Sequence, residues 1–206
     1  MPRRLGTAPP FVCALALGAL LLGVVPERIQ AQARASGAVS LLLLVGDQQN
    51  AGASTGAEAQ VDYGAGAIAD LYFQTGILRV GGALGLAAVS SPDGLRSRVY
   101  MPLAASISAL LPLGAGIGLD LRLRAGLWAG ATDVGLEADF FGSAGGWLTF
   151  AIGAGASVTL GLDVLLQRAE LADSRHTLAT YFAPGLGLVW SPAAEPTDDA
   201  PSAGED

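Results

Sequence analysis

Two stretches of this 206-residue sequence gather side chains able to do chemistry. In GIGLDLRLRAGLWAG, residues 116–130, Asp120, Arg122 and Arg124 stand at alternate positions inside an apolar run. Carboxylate and guanidinium groups so spaced can pair with one another, or line a polar passage. In ADSRHTLAT, residues 172–180, the single histidine, His176, has Asp173, Ser174 and Thr177 beside it. A base, a hydroxyl and an acid are the parts of a nucleophilic site. Proximity in sequence is not a triad, however, and no nucleophile motif accompanies these residues; a polar loop entering a strand accounts for them. No catalytic residue is assigned, and the chain is not expected to be an enzyme. One His and one Cys leave no metal-ligand spacing. GAGAIAD and GGALGLA lack the strand, G-x-G-x-x-G and helix order of a nucleotide site, so no cofactor is expected.

The spacing of the charges decides which element carries them. In a strand, successive side chains point to opposite faces, so Asp120, Arg122 and Arg124 share one face and Leu119, Leu121 and Leu123 the other. In a helix, at about 100° per residue, Asp120 and Arg122 would diverge by about 200°. The same period recurs. Residues 61–74 set Val61, Tyr63, Leu71 and Phe73 against Asp62, Asp70 and Gln74, and 77–89 set Leu78, Val80, Leu84 and Leu86 against Arg79. Residues 98–111 alternate Val99, Met101, Leu103 and Ile107 with Arg98, Tyr100, Ser106 and Ser108. Residues 157–168 alternate Val158, Leu160, Leu162 and Leu166 with Thr159, Asp163 and Gln167. The first strand is expected within 36–46, where LLLL has no period, a sixth near 147–154, and the last over 177–190.

Composition places these strands in a membrane. The chain is 51% hydrophobic and only 14% charged, with 29 Gly, an unusual balance for a soluble domain. Its 11 basic residues against 18 acids give a formal charge of −7, which excludes a nucleic-acid surface. Residues 1–33 have the layout of an export signal: Arg3 and Arg4, the apolar run FVCALALGALLLGVV, and small residues ending in Ala31-Gln32-Ala33, after which cleavage is expected. Cys13 falls inside that apolar run, so the mature chain has no thiol. The tail 191–206, with three Pro and five acids, reads as disordered.

Link lengths alternate. Short links fall at Thr75-Gly76, 112–116 and 153–156; longer ones at 47–57, 91–97, 131–145 and 169–176. That order suits an up-and-down antiparallel barrel of eight strands over 34–190, with short periplasmic turns and longer outer loops. Two other architectures fit the pattern less well. A helical membrane protein would use the 21 uncharged residues 99–119, but Pro102, Pro112 and the alternation at 120–124 oppose it. A soluble ligand-binding barrel would need a more highly charged exterior.

From the export signal to Trp190 the chain resembles the small eight-stranded outer-membrane β-barrel proteins, the class of the OmpA transmembrane domain and OmpX. Gly185, Leu188 and Trp190 match three positions of the C-terminal assembly signal of that class; Ala183 departs from its polar position, and 16 residues follow where the signal commonly closes the chain. The resemblance implies a bacterial outer-membrane location, with membrane lipid and the barrel-assembly machinery as partners. Parity then turns Asp62, Asp70, Asp120 and Asp163 inward with Arg79, Arg98, Arg122 and Arg124 as lumen-lining residues. Four acids and four Arg can neutralise each other as a structural plug. The alternative is a narrow passive pore, with Arg122 and Arg124 at its constriction and water in the space left by small inward residues, Gly64, Gly66, Gly81, Gly85, Gly153, Gly161, Gly185 and Gly187 among them. The expected function is structural, adhesive or surface-interacting. Any loop partner is expected near Phe140, Phe141 and Trp147, and its identity is not encoded legibly.

Overall fold

The computed structural model describes residues 34–49, 61–91, 97–132, 135–153, 155–170 and 176–191. They form eight antiparallel strands: β1 (Arg34–Gln49), β2 (Val61–Thr75), β3 (Leu78–Ser90), β4 (Ser97–Gly114), β5 (Ile117–Thr132), β6 (Gly135–Gly153), β7 (Ala156–Glu170) and β8 (His176–Trp190). Each pairs with the next, and β8 pairs with β1, closing the sheet. Closure leaves no edge of unpaired backbone, the condition for a sheet to sit in hydrocarbon. No helix among the described residues is long and apolar enough to cross a membrane, and residues 99–119 form most of β4, the turn at Ala115-Gly116 and the start of β5.

The register sets the barrel's shape. Followed around the ring from Phe73, the paired residues are Val80, Ile107, Leu123, Ala144, Val164, Phe182 and Val45, and the path returns to β2 at Tyr63, ten residues displaced. A stagger of ten residues at about 3.3 Å each, over eight strands about 4.8 Å apart, tilts the strands by about 40°. Allowing for that stagger, outward-facing Phe73, Phe150 and Trp190 fall at one height, and Tyr63 and Phe140 at a second, about ten residues higher. At this tilt the two girdles stand about 25 Å apart, the height of the apolar band of a transmembrane barrel. Between them the outer face includes Leu41, Leu43, Leu84, Leu103, Leu123 and Leu160, all more than a third exposed.

The links differ from the sequence expectation in several places: β1 runs on to Gln49 and β4 to Gly114, into the links expected at 47–57 and 112–116, and β7 and β8 reach to Glu170 and His176, into the link expected at 169–176. The first hairpin turns at Gly76-Ile77, one residue later than Thr75-Gly76, because Thr75 still pairs with Leu78; Gly76 has φ 58°, as the first central position of a type II′ turn requires. The long outer loop expected at 131–145 is instead strand. β6 begins at Gly135 and pairs with β5 out to Thr132↔Gly135, leaving only residues 133 and 134 between them. Leu136, Ala138 and Phe140 face outward and Phe141 and Ser143 inward, so 135–145 keeps the period-two pattern that its glycines and acids had obscured. Asp173 and Ser174 lie outside the described residues, as do 1–33 and 192–206.

Candidate functional site

Among the described residues, charged side chains converge in the lumen, which is built in two layers. The lower layer, in the periplasmic half by the expected orientation, is ionic. Asp70 of β2, Arg79 of β3, Asp120, Arg122 and Arg124 of β5, and Asp163 of β7 are all buried, none more than 3% exposed. Arg124 is the hub. Its Nε and Nη2 each donate to one oxygen of Asp70 at 2.8 Å, and its Nη1 donates to Asp163 Oδ2 at 2.9 Å and to Ser143 Oγ at 3.2 Å. Ser106 Oγ completes the Asp70 site at 2.9 Å, and Trp147 Nε1 donates to the second oxygen of Asp163 at 2.9 Å.

A second cluster surrounds Asp120. Arg122 Nε donates to Asp120 Oδ2 at 2.7 Å, Ser108 Oγ donates to Oδ1, and Arg79 Nη2 stands 2.9 Å from Oδ1. The Arg79 N–H does not point along that line, so its contact with Asp120 is coulombic rather than a directed hydrogen bond. Arg122 reaches on to Ser40 Oγ at 2.9 Å and lies 4.7 Å from the Trp147 ring centre, while Arg79 lies 5.3 Å from that of Tyr72. Aromatic faces give both buried guanidinium groups a favourable wall. The two clusters hold three carboxylates and three guanidinium groups, so the layer is neutral.

Asp62 and Arg98 are not part of this network. They sit at the outer end of the lumen, Asp62 buried and Arg98 half-buried, each with partners of its own. Between them and the ionic layer lies a second layer that sequence reasoning missed: Leu42, Leu44, Ile68, Phe141 and Leu165 with Tyr100, Trp128 and Tyr181, none more than 3% exposed. Tyr100 and Trp128 meet edge to face at 6.0 Å, and Trp128 Nε1 donates to the Arg168 carbonyl at 2.8 Å. The signal for this layer was present in the opening stretch itself, because Trp128 shares the parity of Asp120, Arg122 and Arg124.

The small inward residues do not leave open space. Trp147 is the register partner of Gly161, where an added Cβ would stand 2.6 Å from its ring, and at Gly185 an added Cβ would stand 2.9 Å from the ring's far end. Tyr72, Tyr100, Phe141 and Tyr181 likewise stand opposite Gly81, Gly130, Gly126 and Gly46 on a neighbouring strand. At Gly161, Gly185 and Gly46 ring atoms stand among the nearest neighbours of an added Cβ; at Gly81, Gly126 and Gly130 the adjoining strand itself lies too close for one. Gly153 departs from the inward expectation altogether: a register shift between Ala151 and Gly153 breaks the parity, and Gly153 is exposed. Of the C-terminal residues, Gly185 faces the lumen, while Leu188 and Trp190 face outward at 54% and 43% exposure.

A closed eight-stranded up-and-down sheet, with an apolar outer band and a charged interior, is the architecture of a transmembrane β-barrel, the fold of the small eight-stranded outer-membrane proteins. Among solved structures the chain is similar to Neisserial surface protein A (NspA), with a TM-score of 0.54 at 10% identity, over 76% of this chain and 95% of that one. Ail, the attachment invasion locus protein of Yersinia pestis, aligns over 76% of this chain and 99% of its own, with 12% identity and a TM-score of 0.42. At these identities the likeness is one of fold. No protein-family model and no curated protein matches the sequence.

Proposed function

We propose that this chain is an exported outer-membrane barrel that acts through its outer end, as a structural or surface-interacting protein, and that it does not conduct. The observation that carries this reading is the apolar layer stacked on the ionic one. A solute would have to displace Trp128, Phe141 and Leu165 and then separate Arg124 from Asp70 and Asp163. An eight-stranded interior is just wide enough for side chains to fill, and here they fill it. With the lumen closed and the flanks facing lipid, the ends of the barrel are the surfaces left for a partner. The outer end carries the β5–β6 hairpin, where Leu136 is 89% exposed above the upper aromatic girdle.

Residues 1–33 act in this reading as the export signal, removed after Ala33. In this reading the chain's partners are membrane lipid and, as the resemblance implies, the barrel-assembly machinery, and no catalytic residue is assigned to any of its side chains. Planar-bilayer recording on the refolded protein tests the proposal: baseline current is expected. Steady single-channel events that change with Arg122→Ala or Arg124→Ala would instead establish the narrow pore.

A further inference from the structure

The seam between β1 and β8 has to find its register with little help from hydrophobic patterning. Val39, Leu41, Leu43 and Val45 face lipid on β1, as do Phe182, Pro184, Leu186 and Leu188 on β8. Sliding one strand past the other by two residues keeps every one of these side chains on the lipid side. Steric matches distinguish the native register, and two of them set a glycine of β1 against an aromatic ring of β8. β1 contains two glycines, Gly37 and Gly46, and their register partners are Trp190 and Tyr181. An added Cβ at Gly37 would stand 2.1 to 2.6 Å from three atoms of the Trp190 ring, and one at Gly46 would stand 2.1 Å from the Thr180 carbonyl oxygen and 2.6 Å from Tyr181 Cδ1.

We propose that Gly37–Trp190 and Gly46–Tyr181 form a double lock that selects the closing register of the barrel. One match sits on the lipid face near the periplasmic end, the other inside the lumen near the outer end. Both are lost together in any slip. A two-residue shift puts Trp190 opposite Ala35 or Val39 and Tyr181 opposite Leu44 or Gln48, all of which carry a Cβ where a ring must lie. Aromatic cover of a glycine on the neighbouring strand is a known means of pinning register. Just beyond Trp190 the chain is held in place, since Ser191 N donates to the Gly155 carbonyl at 2.7 Å and Ser191 Oγ donates to Gln74 Oε1 at 3.2 Å. The outward Trp190 thereby has a task beyond marking the membrane interface, and the seam cannot settle until the last strand residue is in place.

The test is disulfide trapping in the full chain carrying Cys13→Ser. Val39→Cys with Leu188→Cys reports the native register, and Val39→Cys with Leu186→Cys reports a two-residue slip. With both locks intact the native pair is expected to cross-link about tenfold more than the slipped pair. Adding Trp190→Ala and Tyr181→Ala is expected to bring the two yields within about threefold of each other. A ratio still near its original value in that variant overturns the proposal. Should the doubly truncated chain not assemble, Trp190→Ala alone and Tyr181→Ala alone carry the test: a several-fold fall in the ratio in either supports the lock, and an unchanged ratio in both overturns it.

Discussion

Arg124 holds both oxygens of Asp70 at 2.8 Å, and in doing so ties β5 to β2 across the lumen rather than along the sheet. The same guanidinium reaches Asp163 on β7, so three strands that are not neighbours are joined at one group. Only Arg has the planar fork for this; an ammonium is a single point of charge. Removing it leaves two carboxylates buried without their cation. Arg124→Met is expected to cost about 3–5 kcal/mol, and Arg124→Lys to recover only part of it. Adding Asp70→Asn and Asp163→Asn to Arg124→Met should restore much of the loss, because the unpaired charges go with the pair. Urea titration of the protein in lipid vesicles reads each step. Equal destabilisation in the single and triple variants would show that the ion pairs do not govern stability at this site.

Trp147 is the second strut, lying across Gly161 and Gly185 while donating to Asp163. Gly161→Ala places a carbon 2.5 Å from the Gly146 carbonyl oxygen and 2.6 Å from the indole, so the strand pair or the ring must move. A loss of about 1–3 kcal/mol is expected, as for overpacking elsewhere. In a chain already carrying Trp147→Ala, the same Gly161→Ala change should cost measurably less, a coupling that a double-mutant cycle resolves. Strict additivity would mean that ring and glycine do not share the space.

How legible this arrangement was in the sequence depended on whether a residue's face or its partner was being asked for. Alternation alone put Leu121 and Leu123 opposite Arg122 and Arg124, and the structure has the first two facing outward and the last two buried. Alternation could not show that Arg124 spans to β2 and β7 while Arg122 folds back onto Asp120 two residues away, because those choices depend on a stagger of ten residues that only the closed ring reveals. The sixth strand was hidden for a different reason. In GLEADFFGSAGGW the outward positions include Gly142, Ala144 and Gly146, which carry too little apolar surface to mark a face, and Glu137 and Asp139 read as loop. Expecting inward positions to be polar also concealed the layer of Phe141, Trp128 and Leu165.

Proline marks a weak point in the seam. The β1–β8 pairs run from Gly37↔Trp190 to Leu42↔Gly185 and resume only at Val45↔Phe182, past Pro184, which has no N–H to donate. Pro184→Ala returns a donor at a lipid-facing site where water cannot stand in for it. It is expected to raise stability by about 0.5–1.5 kcal/mol and to protect the amide introduced at position 184 from hydrogen exchange. An amide there that exchanges as fast as a loop would mean that the strands are held apart by something other than the proline.

The two aromatic girdles fix where the hydrocarbon lies, and charge placed at graded heights can test that directly. Leu84, 58% exposed on β3, falls halfway between the Phe73–Phe150–Trp190 ring and the Tyr63–Phe140 ring; Val99, 47% exposed on β4, falls level with Tyr63. Arg at the bilayer midplane costs about 2–4 kcal/mol and near an interface about 0–1. Leu84→Arg should therefore destabilise the vesicle-inserted barrel far more than Val99→Arg, although both side chains point away from the lumen and neither touches the ionic layer. The contrast depends on depth alone, since the two sites share a sheet face and a comparable exposure. Matching costs at the two positions would displace the membrane from the girdles, and with it the assignment of Leu136 and the β5–β6 hairpin to the region outside the bilayer.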